Sequence, residues 1–331
     1  MGDRHRAGCG LPSHALVSKF LLLAVFAFSF LGSSCLVGPA QGSERLGVLD
    51  GRFLGLKVNE KGEALVSYET GQGVRRDVLV WGAVNARSPD PDQPQVRFTY
   101  DYSGGRRTRG SRAVTSFRDG CNPYDGPELT FLVAACEAPD GSFWALQLWQ
   151  RLLPMRGFEP FRPGQAAQEL HLSHWSGPLP VLEGSPNWSY GGSLQGLFGR
   201  LTYLGAPVYG VRTPSASRPE PYARFVYIDT YNSIYGSGWR RDTGIVTHVR
   251  NGAFCYSFVP QTPPPGYPWA ELRGPGNGER HLVTVMGPGV TPIVQWEAPG
   301  LQGYDPAADD AFDALFDRLV GPDDGVCRSE R

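Results

Sequence analysis

Apolar and polar residues alternate in short runs along much of the chain after residue 50. The clearest example is residues 96–102, where Val96, Phe98, Tyr100 and Tyr102 alternate with polar residues. A period of two places successive side chains on opposite faces, which is typical of a half-buried β-strand. The body of the protein is therefore predicted to be built largely from strands.

Further runs rich in β-branched and aromatic residues, bounded by Gly, Pro, Asn or Asp, predict additional strands. They cover residues 53–58, 64–68, 77–84, 129–136, 143–151, 168–175, 198–204, 207–212, 223–230, 253–259, 281–286 and 291–297. Polar turns at 59–62 and 139–142 predict hairpins, because each joins two such runs over a few residues and contains a glycine.

One segment near the C-terminus has a helical period instead. Asp305 and Pro306 supply an N-cap and a first-turn proline, and Gly321 and Pro322 end the segment. Four apolar residues recur on one helix face between them, namely Phe312, Leu315, Phe316 and Leu319. The sequence thus predicts a mostly β fold, an antiparallel sandwich or barrel-like body with a C-terminal α-helix at 306–320.

The N-terminus carries the pattern of an export segment. Residues 20–31 are apolar and uncharged, and Arg4, Arg6 and Lys19 precede them. A basic start, an apolar run and small residues after it are typical of a secretory signal peptide, here with cleavage after Ala40. We therefore predict a signal peptide at 1–40 and a secreted or cell-surface protein.

Two alternatives for this segment remain open. The residues before Cys35 resemble a degraded lipoprotein signal, which would attach a lipid anchor to Cys35. Residues 20–37 could instead stay uncleaved as a membrane anchor, although this stretch is barely long enough to span a bilayer. Either alternative also places the body outside the cytoplasm. That body divides into β-rich parts at 45–155 and 165–331, and the sequence leaves open whether they form one integrated domain.

Composition supports a large core and excludes one class of partner. Hydrophobic residues make up 41% of the 331 residues and aromatic residues 12%, so a sizeable core can form. The formal net charge is −1, which gives no electrostatic pattern typical of binding to nucleic acid or an anionic membrane. We expect no nucleic-acid partner, and membrane contact through the N-terminal segment alone.

Four cysteines lie beyond the export segment, which favours disulfides in an exported protein. They are Cys121, Cys136, Cys255 and Cys327. Of the three possible pairings we favour Cys121–Cys136, which is short-range, together with Cys255–Cys327, which would tie the C-terminus to the body.

Several segments resemble a known group of proteins. They are residues 124–128, 138–147, 170–180, 229–233, 276–280 and 283–292. In these segments the chain resembles a family of exported actinobacterial proteins that have no assigned activity. The resemblance implies export and implies nothing catalytic.

The best candidates for metal ligands lie close together at Glu169, His171 and His174. Histidine and carboxylate suit zinc. On a strand, however, His171 and His174 point to opposite faces, whereas Glu169 and His171 share one. They are weak candidates, and we predict neither a metal nor a cofactor.

Signals for catalysis are also weak. No Gly-x-Ser-x-Gly motif occurs, and residues 191–196 miss its spacing by one residue. Carboxylates such as Glu183, Asp229 and Glu297 could serve in glycoside cleavage if the fold brought two of them together. The catalytic residues therefore stay unknown, and the sequence favours a protein that is not an enzyme without deciding the question.

A group of aromatic and polar residues is the better candidate for a binding site. It consists of Trp175, Trp188, Tyr190, Asp229, Tyr231, Asn232 and Trp239. Aromatic faces beside amides and carboxylates suit flat ligands such as sugars, although the same residues could simply belong to the core of a β protein. We predict non-catalytic binding of a ligand or partner, possible partners being a carbohydrate or an envelope component, with a secreted hydrolase acting on glycans as the alternative.

Overall fold

The computed structural model describes residues 43–49, 52–84, 96–150, 168–187, 196–212, 224–233, 236–241, 244–248, 252–258, 279–299 and 306–320. All of them belong to one compact unit, Pro39–Arg331. The predicted signal peptide at 1–40 lies outside the described residues. Most of the described residues are in antiparallel sheets, which confirms the predicted mostly β fold class.

The strands are β1 (Glu44–Leu49), β2 (Arg52–Val58), β3 (Ala64–Glu69), β4 (Arg75–Gly82), β5 (Phe98–Asp101), β6 (Leu132–Glu137), β7 (Phe143–Gln150), β8 (Gln168–Trp175), β9 (Val181–Asn187), β10 (Gly196–Tyr203), β11 (Ala206–Pro207), β12 (Val211–Arg212), β13 (Arg224–Ser233), β14 (Gly236–Arg241), β15 (Gly244–His248), β16 (Ala253–Phe258), β17 (Arg280–Val285) and β18 (Val294–Pro299). The described helix, α1, is Pro306–Val320 and matches the predicted helix. No described helix is long and apolar enough to cross a membrane.

Two sheets built from the N-terminal strands face each other. One has the order β1-β8-β7-β6 and the other the order β2-β3-β4-β5. Alternate residues of each strand point into the space between them, so Val78 and Val80 of β4 share a fully buried core with Trp144 and Leu146 of β7. These two sheets form the N-terminal sandwich.

The remaining strands form a second pair of sheets. One has the order β11-β10-β16-β15 with β9 on the other side of β10, and its partner has the order β12-β13-β17-β18 with β14 beside β13. Their shared core includes Phe254, Tyr256, Ile228 and Val283. We call this pair the C-terminal sandwich. Within it, the short β12 pairs with β13 in parallel.

The two sandwiches meet through the segment between β17 and β18. Val290 of this segment packs in the N-terminal core, and its carbonyl accepts a hydrogen bond from the backbone N–H of His174 (2.9 Å). The buried Gln147 side chain donates to the Ile293 carbonyl (3.2 Å) and accepts from the Ile293 N–H (3.0 Å). These bonds pair the Gln147 amide and the backbone groups of His174, Val290 and Ile293 that the contact buries.

The structure contains four strands that the sequence pattern does not predict, namely β1, β9, β14 and β15. Each of them lies at the edge of its sheet among the described strands. An edge strand pairs on one side, so its residues need not show the alternation of a strand that is buried between neighbours.

Covalent and helical contacts complete the described body. Cys121 and Cys136 form a disulfide, and Cys136 lies on β6 in the N-terminal core. Cys255 is also disulfide-bonded, and its predicted partner Cys327 lies outside the described residues. Leu319 of α1 packs with Cys255 and Phe198 on the outer face of β10 and β16.

Candidate ligand-binding surface

Three strands of the C-terminal sandwich bring together aromatic and charged residues on one sheet face. Tyr231 of β13 lies directly opposite Trp239 of β14 on one side and Arg280 of β17 on the other. Residues directly opposite each other on antiparallel strands project from the same face of the sheet. The three side chains therefore form a row across the sheet, on the face that points away from the core between the two C-terminal sheets.

The three side chains in this row contact one another. The rings of Tyr231 and Trp239 meet edge to face, with centroids 5.3 Å apart. The guanidinium carbon of Arg280 lies 4.8 Å from the Tyr231 ring centroid and 5.2 Å from that of Trp239. Both distances are within the range of cation–π attraction. Both rings are half-buried and Arg280 is exposed.

Carboxylates and an amide border the row. Arg280 Nη1 donates to Glu297 Oε1 (3.2 Å), and Asn232 Nδ2 donates to Glu279 Oε1 (2.9 Å). The side chains of Arg280 and Glu297 are 50% and 43% exposed, so water screens their attraction, which contributes at most about 1 kcal/mol. Arg280 and Glu297 can therefore separate and bind a ligand instead, with little loss of free energy. We call Tyr231, Asn232, Trp239, Glu279, Arg280 and Glu297 the Arg280 cluster.

Asn232 has a backbone conformation that few residues adopt. Its φ is +54°, and it lies at an irregularity in the pairing of β13 with β14, between Tyr231 and Ser233. Asn tolerates this left-handed region better than most residues, because its short side chain can hydrogen-bond locally. The irregularity redirects the strand at the edge of the cluster, as bulges beside binding sites often do.

The opposite face of the same strands gives the cluster a rigid support. Thr230 and His281 are both fully buried there, and Thr230 Oγ1 is hydrogen-bonded to His281 Nδ1 (3.2 Å). Desolvation by burial lowers the pKa of His281 from 6.5 to about 4. His281 is therefore neutral at physiological pH.

Two of the three carboxylates considered for glycoside cleavage lie on the same face as the cluster. Asp229, which is buried, lies opposite Leu282 across β13 and β17, and Glu297 lies opposite Leu282 across β17 and β18. Two strand spacings, roughly 9.5 Å of backbone, separate them. Glu183 lies elsewhere, on β9, where it pairs with Arg318 of α1 (3.2 Å).

The other residues of the predicted binding site do not join the cluster. Trp175 lies on β8 in the N-terminal sandwich, fully buried, with its ring centroid 5.5 Å from Phe143 and 6.4 Å from Tyr124. It is a core residue there, as the competing interpretation held. Trp188 and Tyr190 lie outside the described residues.

The histidines considered as metal ligands lie on opposite faces of β8, as the strand period indicates. The ring of His171 contacts the Ser43 hydroxyl (3.1 Å). The ring of His174 donates from Nδ1 to the Ala83 carbonyl, and its Nε2 is hydrogen-bonded to the Ser142 hydroxyl (2.8 Å). Glu169 lies on the same strand. The described part of the chain contains no group of three side chains that could hold a metal.

Three members of the Arg280 cluster were not singled out as binding residues from the sequence. Glu279 directly precedes β17 and Arg280 begins it, and the sequence indicates Glu297 only as a catalytic carboxylate. The registers of β13 against β17 and of β17 against β18 bring them to Tyr231, and no local pattern indicates those registers.

Comparison with known proteins adds no family: no family model, no curated protein and no solved structure matches the chain. The resemblance to exported actinobacterial proteins therefore stays a prediction.

Proposed function

We propose that the protein is exported and binds a carbohydrate at the Arg280 cluster without catalysing a reaction. The observation that carries this proposal is the row of Trp239, Tyr231 and Arg280 across one sheet face, half-buried to exposed and bordered by hydrogen-bonding groups. Core aromatics such as Trp175 are instead fully buried.

The chemistry of the row suits a sugar. A pyranose has an apolar face of C–H groups, which packs on an aromatic ring, and a rim of hydroxyls, which need donors and acceptors. Arg280 supplies donors, Glu279 and Glu297 supply acceptors, and Asn232 supplies both. These groups surround the rings, so stacking and hydrogen bonding can act on one ligand.

The charge of the cluster indicates which sugars fit. Arg280 is its one cation, while Glu279 and Glu297 are two carboxylates. An anionic saccharide would meet a net negative surface, and like charges repel. A neutral glycan is therefore the ligand class we propose.

Affinity electrophoresis through gels that contain neutral polysaccharides tests this proposal. We expect at least one polysaccharide to retard the protein, and Trp239→Ala or Tyr231→Ala to weaken that binding about tenfold or more, since aromatic contacts dominate such surfaces. Phe131→Ala is the matched control, because Phe131 is an exposed aromatic in the other sandwich (51% exposed). The proposal fails if no neutral glycan binds or if the control loses as much affinity as the two variants.

A glycan hydrolase is the second candidate, because Asp229 and Glu297 share the face of the cluster. Release of reducing ends from the bound polysaccharide distinguishes the two functions. Binding alone predicts no release, whereas a hydrolase predicts release that Asp229→Asn and Glu297→Gln abolish while binding persists.

The proposed location is secreted or cell-surface, with a lipid anchor at Cys35 as one form. The Cys121–Cys136 disulfide is compatible with an extracellular location. Intact-mass spectrometry of the protein from its native host tests the proposal. Cleavage near Ala40 with a gain of four mass units on reduction supports a secreted protein, and a diacylglycerol on Cys35 or an uncleaved start supports a tethered one. An uncleaved chain whose cysteines are all reduced, found in the cytoplasm, would contradict export.

A further inference from the structure

A loop in the N-terminal sandwich concentrates positive charge. Residues 102–118, which follow β5, contain five arginines and no acidic residue. The arginines are Arg106, Arg107, Arg109, Arg112 and Arg118. We call this segment the arginine loop. The net charge of −1 for the whole chain hides it, because acidic residues elsewhere balance the sum.

The loop has a defined shape, because hydrogen bonds hold its base. The Asp101 carboxylate accepts from the backbone N–H and hydroxyl of Ser103, and from the backbone N–H (3.2 Å) and hydroxyl (2.8 Å) of Thr108. These bonds, those from Ser103 first, lower the pKa of Asp101 to about 2. The carboxylate therefore stays charged and keeps the loop closed at all ordinary pH values.

The loop also packs closely on the outer face of the sheet β2-β3-β4-β5. Gly104 and Gly105 have φ values of +70° and +84°, and a Cβ at Gly105 would lie 2.9 Å from Leu79 Cδ2 of β4. A Cβ at Gly104 would lie 2.6 Å from Val114 Cγ2. Only glycine fits both the conformation and the space.

One of the five arginines has a structural role. Arg109 Nε and Nη2 both donate to Glu63 Oε1 (3.1 and 2.6 Å), and its guanidinium carbon lies 5.3 Å from the Trp81 ring centroid. Burial raises the pKa of Glu63, but the hydrogen bonds from Arg109 and Asn59 outweigh it and lower the pKa. Arg109 thus ties the loop to the sheet.

The other four arginines have no such role. Arg106, Arg107, Arg112 and Arg118 are exposed, and their side chains make no ion pair with any residue that the structure describes. Four guanidinium groups on one loop, none of them in an ion pair within the described part of the chain, repel one another in the free protein. Bound anions would remove that repulsion.

We propose that the arginine loop is a second binding surface, separate from the Arg280 cluster, and that it binds a linear phosphate-bearing polymer. The planar guanidinium group can donate two parallel hydrogen bonds to a phosphate, which makes arginine well suited to this anion. Several guanidiniums on one loop fit repeated phosphates along a chain better than a single ion.

The tip of the loop favours such a polymer over a lipid membrane or a nucleic acid. Residues 106–112 contain only Arg, Thr, Gly and Ser. No apolar side chain at the tip could insert into a bilayer, and no aromatic ring there could stack on a nucleobase. Val114, which follows the tip, packs against Gly104.

The test measures the affinity of the full chain for linear inorganic polyphosphate at several salt concentrations. The variant Arg106→Gln/Arg107→Gln/Arg112→Gln should bind about tenfold or more weakly, and its salt slope should be smaller by about 2, since each lost phosphate contact lowers the slope by about 0.7. The matched control is Arg52→Gln/Arg75→Gln/Arg318→Gln, which removes three exposed arginines outside the loop and should change the affinity less than about twofold. Both variants should keep the thermal midpoint of the parent within a few degrees.

Four results would overturn the proposal. They are no binding of polyphosphate by the parent protein, equal losses in the two triple variants, no loss in the loop variant, and loop-dependent binding to phosphatidylglycerol vesicles without binding to polyphosphate. The last result would show that the loop recognises a lipid surface instead.

Discussion

The same combination of side chains occurs at two places in this protein with different surroundings. In the N-terminal sandwich, Arg109 lies over Trp81 and pairs with Glu63; in the C-terminal sandwich, Arg280 lies over Tyr231 and Trp239 and pairs with Glu297. The first pair is short, 2.6 Å, and the second 3.2 Å. Each site thus contains an arginine, an aromatic platform and a carboxylate.

The carboxylates explain why the two sites differ. The Glu63 side chain is 11% exposed and also accepts a hydrogen bond from Asn59 (3.0 Å), whereas the Glu297 side chain is 43% exposed. A largely buried carboxylate needs its cation, because an unpaired buried charge is costly. An exposed carboxylate can bind water or a ligand instead. The two sites contain the same kinds of residue, so residue type does not decide their roles. The burial of the carboxylate decides whether the site is structural or open to a ligand.

The largest expected effect is a loss of stability in acid from buried histidines, one in each region. Burial lowers the pKa of His174 in the N-terminal sandwich as well, so each histidine is tested by its own variant. The pKa of His281, beneath the Arg280 cluster, is about 4 in the folded protein and about 6.5 when unfolded, so the unfolded chain binds the proton more readily. The free energy of unfolding should fall as the pH drops from 6.5 to 4, by up to about 3 kcal/mol in total, and His281 should add no further loss below pH 4.

Urea denaturation at several pH values measures this effect. In His281→Asn the slope between pH 6.5 and 4 should be smaller than in the parent, whereas Arg52→Met, at a 74% exposed side chain of the N-terminal sandwich, should keep the slope of the parent. Equal slopes in His281→Asn and the parent would show that protonation of His281 does not cause the loss of stability in acid.

An intermediate effect concerns the two arginines themselves. Arg109→Met should lower the free energy of unfolding by about 2 kcal/mol, because it leaves Glu63 largely buried without its cation. Arg280→Met should cost less than about 1 kcal/mol, because both partners are exposed. Arg52→Met, at a 74% exposed side chain, is the control for removing a surface arginine. Equal losses at positions 109 and 280 would remove the distinction between a structural and an open site.

The smallest effect comes from the backbone at the edge of the Arg280 cluster. Asn232→Ala should lower the free energy of unfolding by about 1 kcal/mol, since Ala is strained at a φ of +54°. Asn232→Gly should stay within about 0.5 kcal/mol of the parent, because glycine adopts this conformation without strain. Both variants lose the hydrogen bond from Asn232 to Glu279. If both lose about 1 kcal/mol, the lost side chain, and not strain in the backbone, causes the effect.

The sequence predicts the inner strands of the fold better than the edge strands. β3, β4 and β7 each pair on both sides, and their apolar and aromatic runs indicate them. β9 and β14 pair on one side and contain residues that seldom favour strands, such as Pro186 in β9 and Gly236 in β14. Tertiary pairing, rather than local preference, makes them strands.

The candidate site is predictable only in part for a related reason. Tyr231, Asn232 and Trp239 are close in sequence, so composition alone singles them out. Arg280 and Glu297 join them through strand pairing over long distances in the chain. Trp175 shows the opposite case. The sequence groups it with these residues, but its strand, β8, pairs with β7 in the N-terminal sandwich. Local patterns indicate which residues suit a site, and register decides which of them meet.

Hydroxyl-radical footprinting with mass spectrometry, with and without a bound neutral glycan, compares the two regions most directly. We expect the ligand to protect Trp239 and Tyr231 from oxidation and to leave Trp81, beneath Arg109, unchanged. Protection of Trp81, or unchanged oxidation of Trp239 when the protein is saturated with the glycan, would contradict the account that the Arg280 cluster is the binding surface.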